Sequence, residues 1–600
     1  MPKPAKEQHY FSKRSEVPVE HQWKLEKMYK SIAEWEKHYK KAQTLLAPLS
    51  KFRGQLKTPA KILEYFQEVS GVVRQIEKLY VYASHGSAVD LSNHHLQILT
   101  QKAQNIFTEF SQTISFQGPE LSKLSEPVLG KMIANKKFYP YHRELRLIVA
   151  KKKHILSDAE EALMSQVSKI TTGPDDIFSA LDNVDLTFSD VANDKGEMVK
   201  LTNGNYVTFL ENPNRKVRQN VFETYYKSYQ NYIHTFSQTL NLATKQHEFF
   251  SKARKYKSSL EASLSSNMID PQVYQTLLKE THNSLPELYK YMSFRAKKLG
   301  LKKINMWDMR VNLMNAKPLK FTFAEAVEIC LEAVAPLGEE YVGILRQGLL
   351  GGWVDKFENK GKRGGAFSGG CYDSDPYILM NFTGSLNDVY TLIHESGHSM
   401  HSYFARKNQP YSLSDYSLFT AEIASTVNER LLTDYLLKKY SDDARKIVIA
   451  YEIDAIRATY FRQTMFAEFE LNIHQKLEKG EPLTVQYFNE EYARLNTLYH
   501  GPSVGLDDYI QYEWARIPHF YYNFYVYQYA TGIAAAYYFA EQILAPKTGP
   551  TSAQKYLNFL KSGGDHFPLE QMKRAGLDFT KPTLYRAVAK NLQRCLNLLA

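Results

Sequence analysis

The 600-residue chain has only three cysteines, Cys330, Cys371 and Cys595, odd in number and far apart. Their spacing matches no disulfide framework and no cysteine metal site, and it points to a reducing compartment. No run of about 18 apolar residues occurs, so a membrane-spanning helix is not expected. The opening residues, MPKPAKEQHYFSKRSEVPVEHQW, lack the apolar stretch of a secretory signal, and a cytoplasmic location is the expectation. A long block of one charge is missing too. The net charge of +11 is spread along helix-like segments, whereas a nucleic-acid footprint needs clustering as well as charge. Neither nucleic acid nor membrane is therefore an expected partner. Internal repeats and low-complexity segments are absent, and nothing specifies an oligomeric state.

What remains is ordinary globular material. Hydrophobic residues at 44% and charged residues at 23% fall near the average of folded domains, and the length exceeds what one core usually organises. The 42 tyrosines stand out, because a ring with a polar tip suits a wet pocket wall. From about residue 20 to 115 the periodicity predicts three helices in antiparallel hairpins. Ser31 with Glu34 caps the first, Thr58 and Pro59 open a second with Ile62, Phe66, Val69, Val73, Ile76 and Tyr80 on one face, and Leu96 to Phe110 line the third. Residues 186–191 and 205–210 read as strands, and 320–348 reads as one amphipathic helix. Gly364, Gly365, Gly369 and Gly370 predict a flexible loop, 377–382 a short apolar strand, and Ser385 with Asp388 a helix start.

That last helix carries HESGH. Successive helical residues turn by about 100°, so His394 and His398 stack one turn apart on one face and can chelate one ion. Glu395 lies beside that face, placed to take a proton from a zinc-bound water without being a ligand. The spacing excludes the metzincin pattern, since His401 and Phe404 stand where Gly and His are required. A third ligand is wanted, and the downstream AEIASTVNE offers Glu422 and Glu429, seven residues apart on one helical face. His401 sits about 10 Å further along the axis than His394, which favours a packing role.

The segments HESGHSMHSYF, FTAEIASTVNE, GKRGGAFSGGCYDSDPYILMNF, IPHFYYNFYVYQYATGI and LKSGGDHFPLEQMKRAGLDFT together resemble oligoendopeptidase F, a family of thimet-oligopeptidase-like zinc metallopeptidases. The opening SEVPVEHQWKLEKMY extends the resemblance over essentially the whole chain. It implies a mainly α fold, an enclosed bowl of helices with a small β-sheet beside an HExxH catalytic helix. On this resemblance residues 1–115 form an N-terminal helical hairpin region, 116–200 a mixed linker or oligopeptidase N-domain, and 201–600 the zinc peptidase catalytic domain. One Zn²⁺ per chain would be held by His394, His398 and Glu422, with Glu429 in support and Glu395 as the catalytic base. The 376–382 strand would pair with the substrate backbone. His519, Tyr522 and Tyr529 would donate to the substrate carbonyl. The implied activity is hydrolysis of internal bonds in short unstructured peptides. A dipeptidyl or metal carboxypeptidase on the same scaffold and an inactive peptide-binding homologue are the alternatives.

Overall fold

The computed structural model describes residues 7–168, 170–314 and 317–599. The fold is mainly helical with a few very short strands. The chain clusters into two compact units, each assembled from three separated stretches. The first comprises Met1–Lys153, Pro318–Tyr440 and Phe539–Leu577, the second His154–Lys317, Ser441–Tyr538 and Asp578–Ala600.

In the first unit the three N-terminal helices form where local capping directs them. Ser31 Oγ accepts the Glu34 N–H while the Glu34 carboxylate takes that of Lys30, which opens Ile32–Thr44. Thr58 caps Pro59–Ala88, with proline at the first turn where its missing N–H costs nothing. Asn93 caps His94–Thr113. The second helix buries Ile62, Phe66, Ile76 and Leu79, while Tyr80 is exposed, because over thirty residues the apolar stripe drifts around the axis. Trp35, Leu79, Leu99 and Ile106 pack in one core cluster with Tyr377 and Leu379 of the sheet.

That sheet has strands β1 (Val354–Asp355), β2 (Phe367–Gly369) and β3 (Tyr377–Leu379) in the order β1-β3-β2. β1 runs parallel to β3 and β2 antiparallel to it. This corrects the expected substrate strand. β3 is central, fully buried, and paired along both edges, so a peptide cannot add to it; the open edge belongs to β2. Ile378 gives its N–H to Trp353, so the β2 ladder is made by Phe367 and Gly369, and the Ser368 amide faces the free edge.

Of the four glycines read as a flexible loop, Gly364 and Gly365 have open space around them, but Gly369 and Gly370 are tightly packed. A Cβ on Gly369 would stand 2.4 Å from His85 Nε2, and Gly370, at φ +127°, would meet the Asp375 carbonyl at 2.8 Å. Gly369 and Gly370 thus permit close approach of neighbouring groups. Upstream, Lys362 Nζ is wholly buried and bonded to Asp355 Oδ1 at 2.8 Å and to the Phe357 and Met380 carbonyls, while Arg14 donates to both Asp355 oxygens, Oδ1 at 2.9 Å and Oδ2 at 2.5 Å.

Two further readings change. Residues 320–348 form two helices, Phe323–Ala333 and Glu339–Gly351, since Pro336 cannot supply the N–H that continuity requires. In the second unit, 205–210 lies within a helix, Asn203–Leu210. Thr202 and Asn205 close a reciprocal capping box at its start, and this local device overrides the β-propensity of Val207, Thr208 and Phe209. The strand assigned to 186–191 reduces to a two-residue pairing, Val191–Ala192 with Met198–Val199. Long helices Ile233–Ala253, Pro271–Lys298, Arg462–Glu478 and Val485–His500 build the second unit, joined to short 3-10 turns at Ile510–Arg516 and Pro518–Tyr521. Among the described residues no helix is long and apolar enough to cross a membrane.

Candidate active site

The HExxH helix is Leu386–Asn408, begun by a capping box between Ser385 and Asp388. Leu386, Val389, Ile393, Met400 and Phe404 are buried along its inner face. The next helix, Leu418–Lys439, crosses it at backbone contact. A Cβ on Gly397 would lie 2.6 Å from both the Ala424 carbonyl and Ser425 Cα, so this close crossing requires glycine between the motif residues. Asn428 fixes the register, donating to the Ile393 carbonyl at 3.2 Å and accepting from Tyr341 Oη at 3.1 Å.

The crossing brings three donors together. His394 Nε2 and His398 Nε2 are 3.2 Å apart, and Glu422 Oε2 lies 3.5 Å from the first and 3.6 Å from the second. Donors of a tetrahedral zinc ion, each about 2.0–2.1 Å from it, are separated by about 3.4 Å. Two imidazole nitrogens and a carboxylate oxygen at such spacing fit that ion in number, type and separation. Glu422 remains 43% exposed at its side chain, so the cluster is reachable from solvent.

Neighbouring groups set the protonation of the two histidines. His394 Nδ1 bonds Glu429 Oε1 at 2.5 Å. The carboxylate accepts, so Nδ1 keeps its proton, and Nε2 is the nitrogen left to give up its own to a metal ion and ligate it. Burial alone would lower the His394 pKa, but the Glu429 hydrogen bond and charge outweigh it and push it up to about 9. Burial, then the charge of His394, lowers His398 to about 4. Glu395 is 8% exposed, and burial raises its pKa while the charge of His394 opposes that. The outward amide of Ser368 hydrogen-bonds the Glu395 carboxylate, and the Ser368 and Ser399 hydroxyls meet at 2.8 Å. The open edge of β2 therefore runs beside the glutamate of the motif. Sequence spacing gave no hint of Ser368 as its partner, because the contact joins a strand edge to a helix.

His401 is fully buried, stacked on Tyr416 at 3.6 Å, with both ring nitrogens unpartnered. Burial lowers its pKa to about 3, and it serves as a neutral packing ring.

The remaining candidates lie in the second unit. His519 and Tyr522 sit on a 3-10 turn and its cap, and Tyr529 on the helix Tyr527–Ile543. They do come together: the His519 ring centroid is 5.8 Å from Tyr522 and 5.9 Å from Tyr529, and Tyr529 Oη approaches His519 Nε2 at 3.4 Å. Tyr525 completes the group, stacked on His519 at 5.9 Å and 5.4 Å from Tyr529. The crowded run of tyrosines hid it in the sequence. Tyr522 is 49% exposed, while Tyr527 is buried.

In this mainly helical chain two histidines and a glutamate from crossing helices converge as a donor set that could hold one metal ion. The chain belongs to peptidase family M3, whose model matches residues 208–589; the oligopeptidase F model matches residues 120–188. It is 40% identical to oligopeptidase PepF of Bacillus subtilis over 97% of this chain and 87% of that one. It is 39% identical to the group B oligopeptidase PepB of Streptococcus agalactiae over 98% of each. The crystal structure of oligoendopeptidase-F from Enterococcus faecium matches with a TM-score of 0.73 at 35% identity, covering 94% of this chain and 98% of that one.

Proposed function

We propose that the chain is a cytoplasmic zinc metalloendopeptidase that hydrolyses internal bonds of short, unstructured oligopeptides. The observation that carries this is the 3.2, 3.5 and 3.6 Å triangle of His394, His398 and Glu422, with Glu395 adjacent on the same helix. Zinc held by that triangle would supply Lewis acidity to a water and to the scissile carbonyl. Glu395 takes a proton from the attacking water and gives it to the leaving nitrogen, so that one C–O bond forms and the C–N bond breaks without net charge release. Burial keeps its carboxyl above the usual range, closer to the pH at which it must both accept and donate. Glu429 holds His394 in its ligating tautomer. His519, Tyr522 and Tyr529 donate to the carbonyl oxygen as charge develops there. The free edge of β2 receives the substrate backbone as an added strand, in place of β3.

Metal analysis of purified protein, combined with mass-spectrometric mapping of the products from an end-blocked peptide, tests this. About one zinc per chain is expected, with internal cleavage that a chelator abolishes. Full activity in metal-free protein would overturn the metal assignment. Products limited to terminal dipeptides, made only from unblocked peptides, would reassign the enzyme to terminal trimming.

A further inference from the structure

Among the described residues Asn523 and Phe524 are the only consecutive non-glycine pair in the left-handed region, at φ 41° and 57°. Such a conformation is strained for a residue with a Cβ and persists only where its surroundings impose it. The pair lies between His519 and Tyr529, within the ring cluster. Side chains from neighbouring helices impose it. The Phe524 N–H donates to Glu470 Oε1 at 2.5 Å, Ser263 Oγ donates to the Asn523 carbonyl at 2.7 Å, and Thr239 Oγ1 bonds Tyr521 Oη at 2.7 Å. Glu470 is 0% exposed, and its second oxygen has no partner.

Behind Glu470 stand two more buried titratable groups. His474 Nδ1 is 2.7 Å from the Glu470 backbone carbonyl, which only accepts, so the proton is on Nδ1. His474 Nε2 is then the acceptor, and His247 must donate to it from Nδ1 across 3.1 Å. The Tyr521 carbonyl bonds the His247 ring when it is protonated, and the His474 ring packs 4.5 Å from that of Phe524. The geometry accommodates three protons among Glu470, His474 and His247, and such a set is net neutral whether the third resides on the carboxyl or on the imidazole pair. That is why three ionisable groups can share a dry interior.

We infer that Glu470, backed by His474 and His247, is the positioning group for the 521–525 turn, holding it in the strained conformation that presents Tyr522 and Tyr525 beside His519. This rests on the proposed role of that ring cluster in catalysis. Burial pushes the Glu470 carboxyl up to about 8, which keeps the third proton on it at neutral pH.

The test combines kinetics of an end-blocked fluorogenic peptide, zinc content and hydrogen exchange of the 521–525 amides. Glu470→Ala should lower kcat by about 10- to 100-fold with KM and zinc unchanged, the scale of a misplaced catalytic group. It should also speed exchange of the Phe524 amide. Glu470→Gln, whose amide oxygen still accepts that N–H, should keep kcat within about threefold. Adding Asn523→Gly to Glu470→Ala should recover part of the loss, because glycine adopts the left-handed turn without a clamp. Wild-type kcat in Glu470→Ala, equal losses in the Ala and Gln variants, or faster exchange with unaltered kcat would each overturn the positioning role. Should Glu470→Ala not fold, slow Phe524 exchange in wild type and its retention in Glu470→Gln become the deciding result, and rapid exchange in either would overturn the clamp. A wild-type protein that cleaves no peptide would sink the peptidase reading, and exchange at Phe524 would still judge the clamp.

Discussion

The HExxH centre and the tyrosine cluster assemble polar groups by opposite means. The first stands on two long helices, where a single glycine crossing and the one-turn repeat place every donor. The second spans one 3-10 turn and the start of a helix, joined through Asn523 and Phe524, whose strained backbone must be held by a buried carboxyl. Regular structure fixes chemistry cheaply and locally, whereas a turn fixes it only with help from helices distant in sequence. The two should accordingly fail differently when perturbed.

The sharpest contrast is at Glu395. Glu395→Gln should retain zinc and lose about three orders of magnitude or more in kcat, because an amide cannot carry the proton; metal content and turnover measured on one preparation check this. Retained turnover would remove the difference between the two regions. Next in size are Tyr522→Phe and Tyr529→Phe, expected to lower kcat by about 10- to 1,000-fold with zinc unaffected. Wild-type rates in both would reduce the tyrosine cluster to packing. Glu429→Ala should weaken zinc affinity by about 10- to 100-fold through loss of the His394 tautomer, while Glu422→Ala should lose the metal more completely. Competition with a chelator separates them, and the reverse ranking would exchange their roles.

The smallest effect is a pH dependence of stability. The folded-state pKa of Glu470, about 8, lies above the 4.5 of the free side chain. Its contribution is therefore fully present below about pH 4.5 and lost as pH rises through 8, because the unfolded chain releases the proton first. The wild-type Tm should fall between pH 5 and 8 by about 2–5 °C more than that of Glu470→Gln, read by calorimetry. Parallel profiles would show that Glu470 is ionised when folded.

The same contrast explains what the sequence disclosed. The motif helix, its Ser385 cap, its buried face and the approach of Glu422 and Glu429 all follow from residue spacing on regular helices. The three N-terminal helices were legible for the same reason, through Ser31, Thr58 and their apolar repeats. Misreadings cluster where a non-periodic device decides. Thr202 and Asn205 turn a β-prone run into a helix, Pro336 divides a long amphipathic stretch, and β2 fills the edge that β3 was expected to offer. Ser368 and Glu470 belong to the sites through contacts between elements remote in sequence, and no local pattern marks them, whereas Tyr525 is one ring in a local run of tyrosines that spacing alone does not rank.

Gly397 also defines a specification for transplantation. Because the two helices touch backbone to backbone there, the donor triangle, the Glu429 buttress and the Asn428 tie all reside within two helical segments and one interhelical contact. A designer wishing to graft this centre into a helical bundle would need to copy that crossing before copying any ligand. Placed on helices kept further apart by even one methyl group, the same histidines and glutamates would converge on nothing.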